Sequence, residues 1–132
     1  MSAEVKENNA LHGIRVLDMS RILAGPWATQ QLADLGADVV KVESISMGDD
    51  TRSWGPPFIK GKGGEKGEAT YFSCANRNKK SVTIDFSKAD GAKLLRSLAA
   101  EADILVENFK VGGLKKYGLD YNSIKKINPK II

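Results

Sequence analysis

Three cations, Arg77, Lys79 and Lys80, fall within four residues, and a run that alternates like a strand, Ser81 to Phe86, follows at once. A basic turn at the edge of a rigid sheet suits a phosphate, because Arg offers a forked donor and Lys a compact charge. A solvated surface turn has the same composition, so the surroundings must decide. Arg21 and Arg52 also fall just after strand-like runs and join the basic turn as candidate phosphate partners, while Phe109 offers a flat face to an adenine ring. The carboxylates name no catalytic group. Asp18 and Asp38 border strands, and Asp49 and Asp50 sit in a turn where Asp belongs for local reasons. Asp85, near the end of the strand after the basic turn, suits a contact to Arg77 or Lys79 at least as well as chemistry. With Cys74 the one cysteine and His12 the one histidine, no disulfide can close within the chain and a Cys/His zinc site is out of reach. A Cys–His nucleophilic pair would need these two to meet, and Cys74 lies in an apolar-aromatic run, Tyr71 to Ala75, where buried packing is expected.

The elements that must position these groups alternate between strand and helix. Ile14 to Asp18 reads as a strand opened by Gly13. Ala24 to Leu35 reads as a helix, with Pro26 in its first turn and Gly36 where a C-terminal cap belongs. Asp38 to Glu43, half of it valine, is a second strand. Strand, helix and strand in about 30 residues predict a βαβ unit with parallel pairing. Residues 44 to 70 carry turn chemistry, and 60 to 68, only charge and glycine, reads as a mobile surface loop. After the third strand, Ser87 to Ala102 predicts a helix capped by Ser87, with Asp90 in its first turn and Leu94, Leu95, Leu98 and Ala102 as its apolar stripe. Gly91 weakens it slightly. Ile104 to Glu107 is a fourth strand, Asn108 to Gly118 a loop or short helix, Tyr121 to Ile127 a helix, and Lys130 to Ile132 the start of another strand.

The expected architecture is therefore α/β, a Rossmann-like parallel sheet in a single unit over residues 11–132, preceded by a polar tail over residues 1–10. In such sheets ligands bind beyond the carboxyl ends of the strands. A nicotinamide or flavin dinucleotide needs G-x-G-x-x-G in the first strand–helix turn, and Asp18 to Gly25 holds one glycine. No P-loop is present either. The net charge of +4 fits an anionic ligand, yet the lysines are dispersed and no block of like charge marks a nucleic-acid surface. No apolar run reaches the roughly 20 residues of a membrane helix. The N-terminus is neither a signal peptide nor an Arg-rich transit sequence, so a cytoplasmic location is expected, with a mitochondrial one as the alternative.

Read in order, several segments resemble the start of a class III CoA-transferase, the CaiB/BaiF family. They are Leu11 to Asp18, Leu23 to Pro26, Leu32 to Glu43, Gly48 to Arg52 with Trp54 to Pro57, Asn76 to Ser81, and Val106 to Phe109. Asn76 to Ser81 and Trp54 to Pro57 are most similar to the succinyl-CoA–glutarate CoA-transferase branch. The resemblance covers residues 11 to 132.

The resemblance implies a Rossmann-like domain that binds the adenosine and phosphate end of coenzyme A, with CoA or acyl-CoA as substrate and no permanently bound cofactor. It implies an interlocked homodimer that moves CoA between an acyl-CoA and a carboxylic acid, with a dicarboxylic acid the expected acceptor. An aspartate attacks the thioester to give an anhydride, and an enzyme thioester follows, which is covalent catalysis by a carboxylate. By position, the CoA contacts fall on Ile22, Leu23, Ala24, Ser44, Thr83, Ile84, Asp85, Asn108, Phe109, Gly113 and Lys116. Several members carry arginine where Ser44 stands, leaving Arg21, Arg52 or the basic turn to hold phosphate. Others carry glutamine where Leu23 stands, which leaves the acceptor acid open. Members are much longer, and their catalytic aspartate lies beyond the position of Ile132, so the chain is expected to be an N-terminal piece without the nucleophile and inactive alone. Two alternatives stand beside this: the racemase branch of the family, and a non-catalytic CoA- or nucleotide-binding module that works by association.

Overall fold

A computed structural model describes residues 9–132, so most of the expected polar tail lies outside the described residues. The βαβ expectation holds. Strand β1 (Arg15–Asp18) leads into helix α1 (Ala24–Asp34) and strand β2 (Asp38–Glu43), which pairs parallel to β1 with Arg15 opposite Asp38. Strands β3 (Phe58–Lys60) and β4 (Lys66–Ala69) precede helix α2 (Thr70–Asn76) and strand β5 (Lys80–Thr83). Helix α3 (Ala89–Glu101), strand β6 (Ile104–Val106) and helix α4 (Tyr121–Ile127) complete the order. The main sheet runs β5-β2-β1-β6, all parallel.

Each face of this sheet buries a different set of side chains. Because strand residues alternate, Val16 and Val39 face α1 with Ala33 and Ala37. Leu17, Val42 and Ile84 face the other way, onto Leu95 and Ala99 of α3 and Ile124 of α4. Beyond α4 the chain returns to the sheet: Leu105 N–H donates to the Ile132 carbonyl at 2.9 Å and Ile132 N–H to the Asp103 carbonyl at 3.1 Å. The strand-like start expected at Lys130–Ile132 is thus already paired along β6.

Several expectations are corrected. The 60–68 loop is largely a hairpin, with β3 and β4 antiparallel. Its glycines make the turn, Gly64 at φ +82°, and the Lys66 ammonium lies 3.8 Å from the centre of the Phe58 ring. The aromatic run before the basic turn is the short helix α2, in which Ala75 faces inward and Cys74 outward, so Cys74 is exposed rather than packed. Strand β5 stops at Thr83 rather than Phe86. Asp85 Oδ1 accepts the Ser87 N–H at 3.0 Å and its hydroxyl at 2.5 Å, a local turn that competes with the ladder. Ser87 therefore serves Asp85, and α3 begins at Ala89 without a side-chain cap. The inward stripe of α3 is Ala92, Leu95 and Ala99, while Leu94 is exposed. Gly91 has a packing reason: a Cβ there would overlap the carbonyl oxygen of Asp85, so the helix lies directly against the turn it follows.

Candidate functional site

The carboxyl ends of all four strands open onto one cavity of about 470 Å³. Residues after β1 (Met19, Arg21), after β2 (Ser44 to Ser46, Gly48), after β5 (Ile84 to Ser87) and after β6 (Phe109) line it. Of the expected CoA contacts, the structure brings Ser44, Ile84, Asp85 and Phe109 together here. Phe109 is set by edge-to-face packing on Phe86, ring centres 5.6 Å apart, and Phe86 packs in the same way on Tyr117 at 5.5 Å. Asp85 is held below the usual carboxylate range by the Ser87 hydroxyl and N–H. It contacts neither Arg77 nor Lys79.

The turn between β1 and α1 is clamped from two sides. Asn108 accepts the Arg21 N–H and donates to the Arg21 carbonyl, both at 2.8 Å. The Asp49 carboxylate accepts the Ile22 N–H at 3.2 Å. Ile22 sits at φ +70°, a conformation rare for a β-branched residue and tolerated only where the surroundings impose it. Leu23 and Ala24 begin α1 directly afterwards. These three, with Thr83, Asn108, Gly113 and Lys116, do not line the cavity. The Lys116 ammonium stands 4.7 Å from the Tyr117 ring centre.

The basic turn is elsewhere. Lys80 opens β5 at the amino end of the sheet, pairs with Asp38 at 2.7 Å, and lines a separate cavity of about 710 Å³ with His12, Arg15 and Asp34. Arg77 binds Asp34 at 2.6 Å, and that hydrogen bond outweighs desolvation in lowering the Asp34 pKa. The Lys79 side chain is 2% exposed and spends its three donors on Asp18 (3.0 Å), the Pro26 carbonyl (2.8 Å) and Asn76 (3.0 Å). Burial lowers the pKa of this ammonium against the opposing pull of Asp18. For Arg77 and Lys80 the reason is topological, since the turn precedes a parallel strand and so lies at the end opposite the cavity, whereas the Lys79 side chain reaches under α1 to Asp18 at the carboxyl end of β1. Arg52 is committed as well: it chelates Glu43 at 2.7 and 2.6 Å, pairs with Glu68 on the hairpin, and stacks 3.7 Å from the Phe72 ring centre. The Glu43 hydrogen bond is the main cause of its raised pKa.

The Lys79 and Arg52 pairs belong to a buried ionic layer whose members read in the sequence as strand and turn residues. Beneath the β1–α1 turn, Lys41 meets Asp49 at 2.9 Å with both side chains 1% exposed, and also donates to the Ser20 carbonyl at 3.0 Å. Asp18 accepts Thr29 at 2.6 Å as well as Lys79 and the Ser20 hydroxyl. Glu43 binds Arg52, the Ser81 hydroxyl and the Asp49 N–H. Burial works to raise both Glu43 and Asp49, but their hydrogen bonds and cations outweigh it and hold both low. Asp18, Glu43 and Asp49 against Lys41, Arg52 and Lys79 give a neutral layer, and no buried side-chain nitrogen or oxygen among the described residues lacks a partner. One signal was available: Lys41 and Glu43 alternate inside a valine strand, and a parallel strand covered on both faces admits charge only when it is paired.

The sequence model described as CoA-transferase family III matches residues 11–132. The succinate–glutarate CoA-transferase of Agrobacterium fabrum is 53% identical over 122 residues, which is 92% of this chain and 30% of that protein. The succinyl-CoA:glutarate CoA-transferase of Mus musculus is 50% identical over 92% of this chain and 27% of its own length. A crystal structure of a CaiB/BaiF family protein from Brucella suis superposes with a TM-score of 0.89 at 58% identity, covering 96% of this chain and 32% of that one. The chain thus spans about 30% of the length of such relatives.

Proposed function

Because the chain belongs to CoA-transferase family III, we propose that the cavity at the carboxyl ends of the sheet binds the adenosine end of CoA or an acyl-CoA. The observation that carries this is the convergence of Ser44, Ile84, Asp85 and Phe109, from three different loops, on one cavity. Phe109 is braced to stack on a purine, Ile84 supplies an apolar surface, and Asp85 is an ionised acceptor suited to ribose hydroxyls or an exocyclic amine. Leu23 and Ala24 present backbone N–H groups at the start of α1, a favourable place for a phosphate, next to Ile22, whose own N–H is held by Asp49. Thr83, Asn108, Gly113 and Lys116 complete the proposed set.

The activity proposed for the whole protein is transfer of CoA between an acyl-CoA and a carboxylic acid. The glutarate-using names of the similar relatives support a dicarboxylic acceptor. The carboxylate nucleophile is proposed to lie outside these residues, so the 132-residue chain alone binds without turnover. An interlocked homodimer is proposed for the assembled enzyme. Among the described residues no helix is long and apolar enough to cross a membrane, which is compatible with the proposed cytoplasmic location. Calorimetric titration with CoA tests the binding claim. Saturable heat that is lost in a Phe109→Ala variant is expected, and a protein with a folded circular dichroism spectrum that gives no heat overturns it.

A further inference from the structure

The cavity is short of positive charge, although the chain as a whole carries a net charge of +4. Among the residues that line it, Arg21 is the one cation. Glu43 and Asp49 reach its wall but are neutralised from behind by Arg52 and Lys41. Asp85 is ionised and repels an anion from the β5 side. The hydroxyls of Ser44 and Ser46, 3.1 Å apart, lie on the loop after β2, whose strand is next to β1 in the sheet. A phosphate entering this cavity therefore has one charged partner available, with two hydroxyl donors on the neighbouring loop.

The Arg21 backbone is fixed while its head is not. Asn108 binds both its N–H and its carbonyl, but the side chain is 51% exposed and its guanidinium is held by one partner, Asp50, at 2.5 Å. Asp50, 36% exposed, stands at the start of a single helical turn, Asp50–Ser53, and does not line the cavity. Without a ligand this carboxylate occupies the group that a phosphate needs.

We propose that Arg21 is the phosphate-binding and specificity-determining side chain of this site and that Asp50 is its resident competitor, which the ligand phosphate displaces. The proposal rests on the CoA reading above and names which group of CoA the site selects. The 3′-phosphate of CoA is a dianion at neutral pH and its diphosphate carries two charges over two phosphates, so either brings more negative charge to the guanidinium than the Asp50 carboxylate, in the same forked geometry. Ligands without a phosphate there leave the Arg21–Asp50 pair closed. The site then discriminates by requiring enough charge to open the pair, which is selection by an internal competing anion.

The test is calorimetric titration of wild type, Arg21→Gln and Asp50→Asn with CoA and with 3′-dephospho-CoA. Loss of a charged hydrogen-bond pair predicts that Arg21→Gln weakens CoA binding about tenfold to a hundredfold. Asp50→Asn, with the competitor gone, strengthens it by up to about fivefold, the usual scale of an exposed ion pair. If Arg21→Gln weakens only CoA, the 3′-phosphate is the group held. If it weakens both ligands equally, the diphosphate is held, and the assignment to Arg21 stands in either case. Wild type that binds CoA, with Arg21→Gln unchanged for both ligands, overturns this proposal and leaves the CoA reading intact. Wild type that binds neither ligand overturns both. Opposite signs for the two variants also exclude a general loss of folding as the cause.

Discussion

The two faces of the main sheet bury similar strands by opposite means. Toward α3 and α4 the contacts are Leu17, Val42, Ile84, Leu95 and Ile124, with no charge among them. Toward α1 the amino half is equally apolar, with Val16 and Val39. The carboxyl half of that face is instead an ionic layer of Asp18, Lys41 and Glu43 answered by Lys79, Asp49 and Arg52. The apolar face is non-directional and tolerates small shifts, as burial by area does. The ionic layer is directional, and its hydrogen bonds reach the loops: Asp49 holds the Ile22 N–H, and Lys41 holds the Ser20 carbonyl. Buried ion pairs are poor contributors to net stability, but they penalise any arrangement that separates them. The difference teaches that this sheet uses one face to hold together and the other to fix the geometry of the turn beside the cavity at the strands' carboxyl ends.

The largest effect is expected from breaking that layer. Lys41→Met leaves the Asp49 carboxylate buried without its cation and should cost about 3–5 kcal/mol in urea denaturation. Leu95→Ala, fully buried on the opposite face, should cost a comparable 2–5 kcal/mol or so through lost transfer energy and a cavity. The two should differ in consequence. Lys41→Met should also weaken CoA by releasing the Ile22 turn, whereas Leu95→Ala should leave CoA affinity near that of wild type when measured where the protein is still folded. Equal loss of affinity in both would erase the distinction between the faces.

A smaller effect should come from overpacking the apolar face. Alanine is a better helix former than glycine by about 1 kcal/mol, yet Gly91→Ala places a methyl against the Asp85 carbonyl. The net change should be a loss of roughly 1–3 kcal/mol, read as a lower urea midpoint. A stabilised Gly91→Ala protein would mean that the helix does not press on the turn.

The smallest effect at neutral pH, and the one most specific to the ionic face, is acid sensitivity. Glu43 and Asp49 are held low by Arg52, Lys41 and their hydrogen bonds, which outweigh burial. The unfolded chain therefore binds more protons than the native one as pH falls past about 4. The stabilisation is complete above that value and is lost as pH falls through the lowered native pKa values. Urea midpoints measured across this range should fall steeply for wild type and in parallel for Leu95→Ala, but more shallowly for Glu43→Gln, which has already lost one of the two carboxylates.

Much of the framework was legible before any coordinates. The valine-rich run of residues 38–43, the glycine at position 36 and the helical spacing before it imposed a βαβ unit, because those signals are local and each answers to backbone sterics. The four parallel strands and the family membership followed from segments read in order, and so did the expectation that loops after strands hold the ligand. Single-residue signals failed where a competing local turn or the facing of a short helix overrode them. Ser87 was a plausible cap until Asp85 took its N–H, and Cys74 a plausible core residue until α2 turned it outward. The charges show the same division. By itself the sequence determined that Arg21, Arg52, Arg77, Lys79 and Lys80 are cations near strand ends, because residue type and strand period are written in it. Only the tertiary structure decided that four of these are spent on Glu43, Asp34, Asp18 and Asp38, leaving Arg21 at the cavity. The physical reason is that a charge is assigned by the opposite charge that folding brings within about 4 Å, and for each of these cations except Arg52 that partner lies more than 25 residues away in the chain.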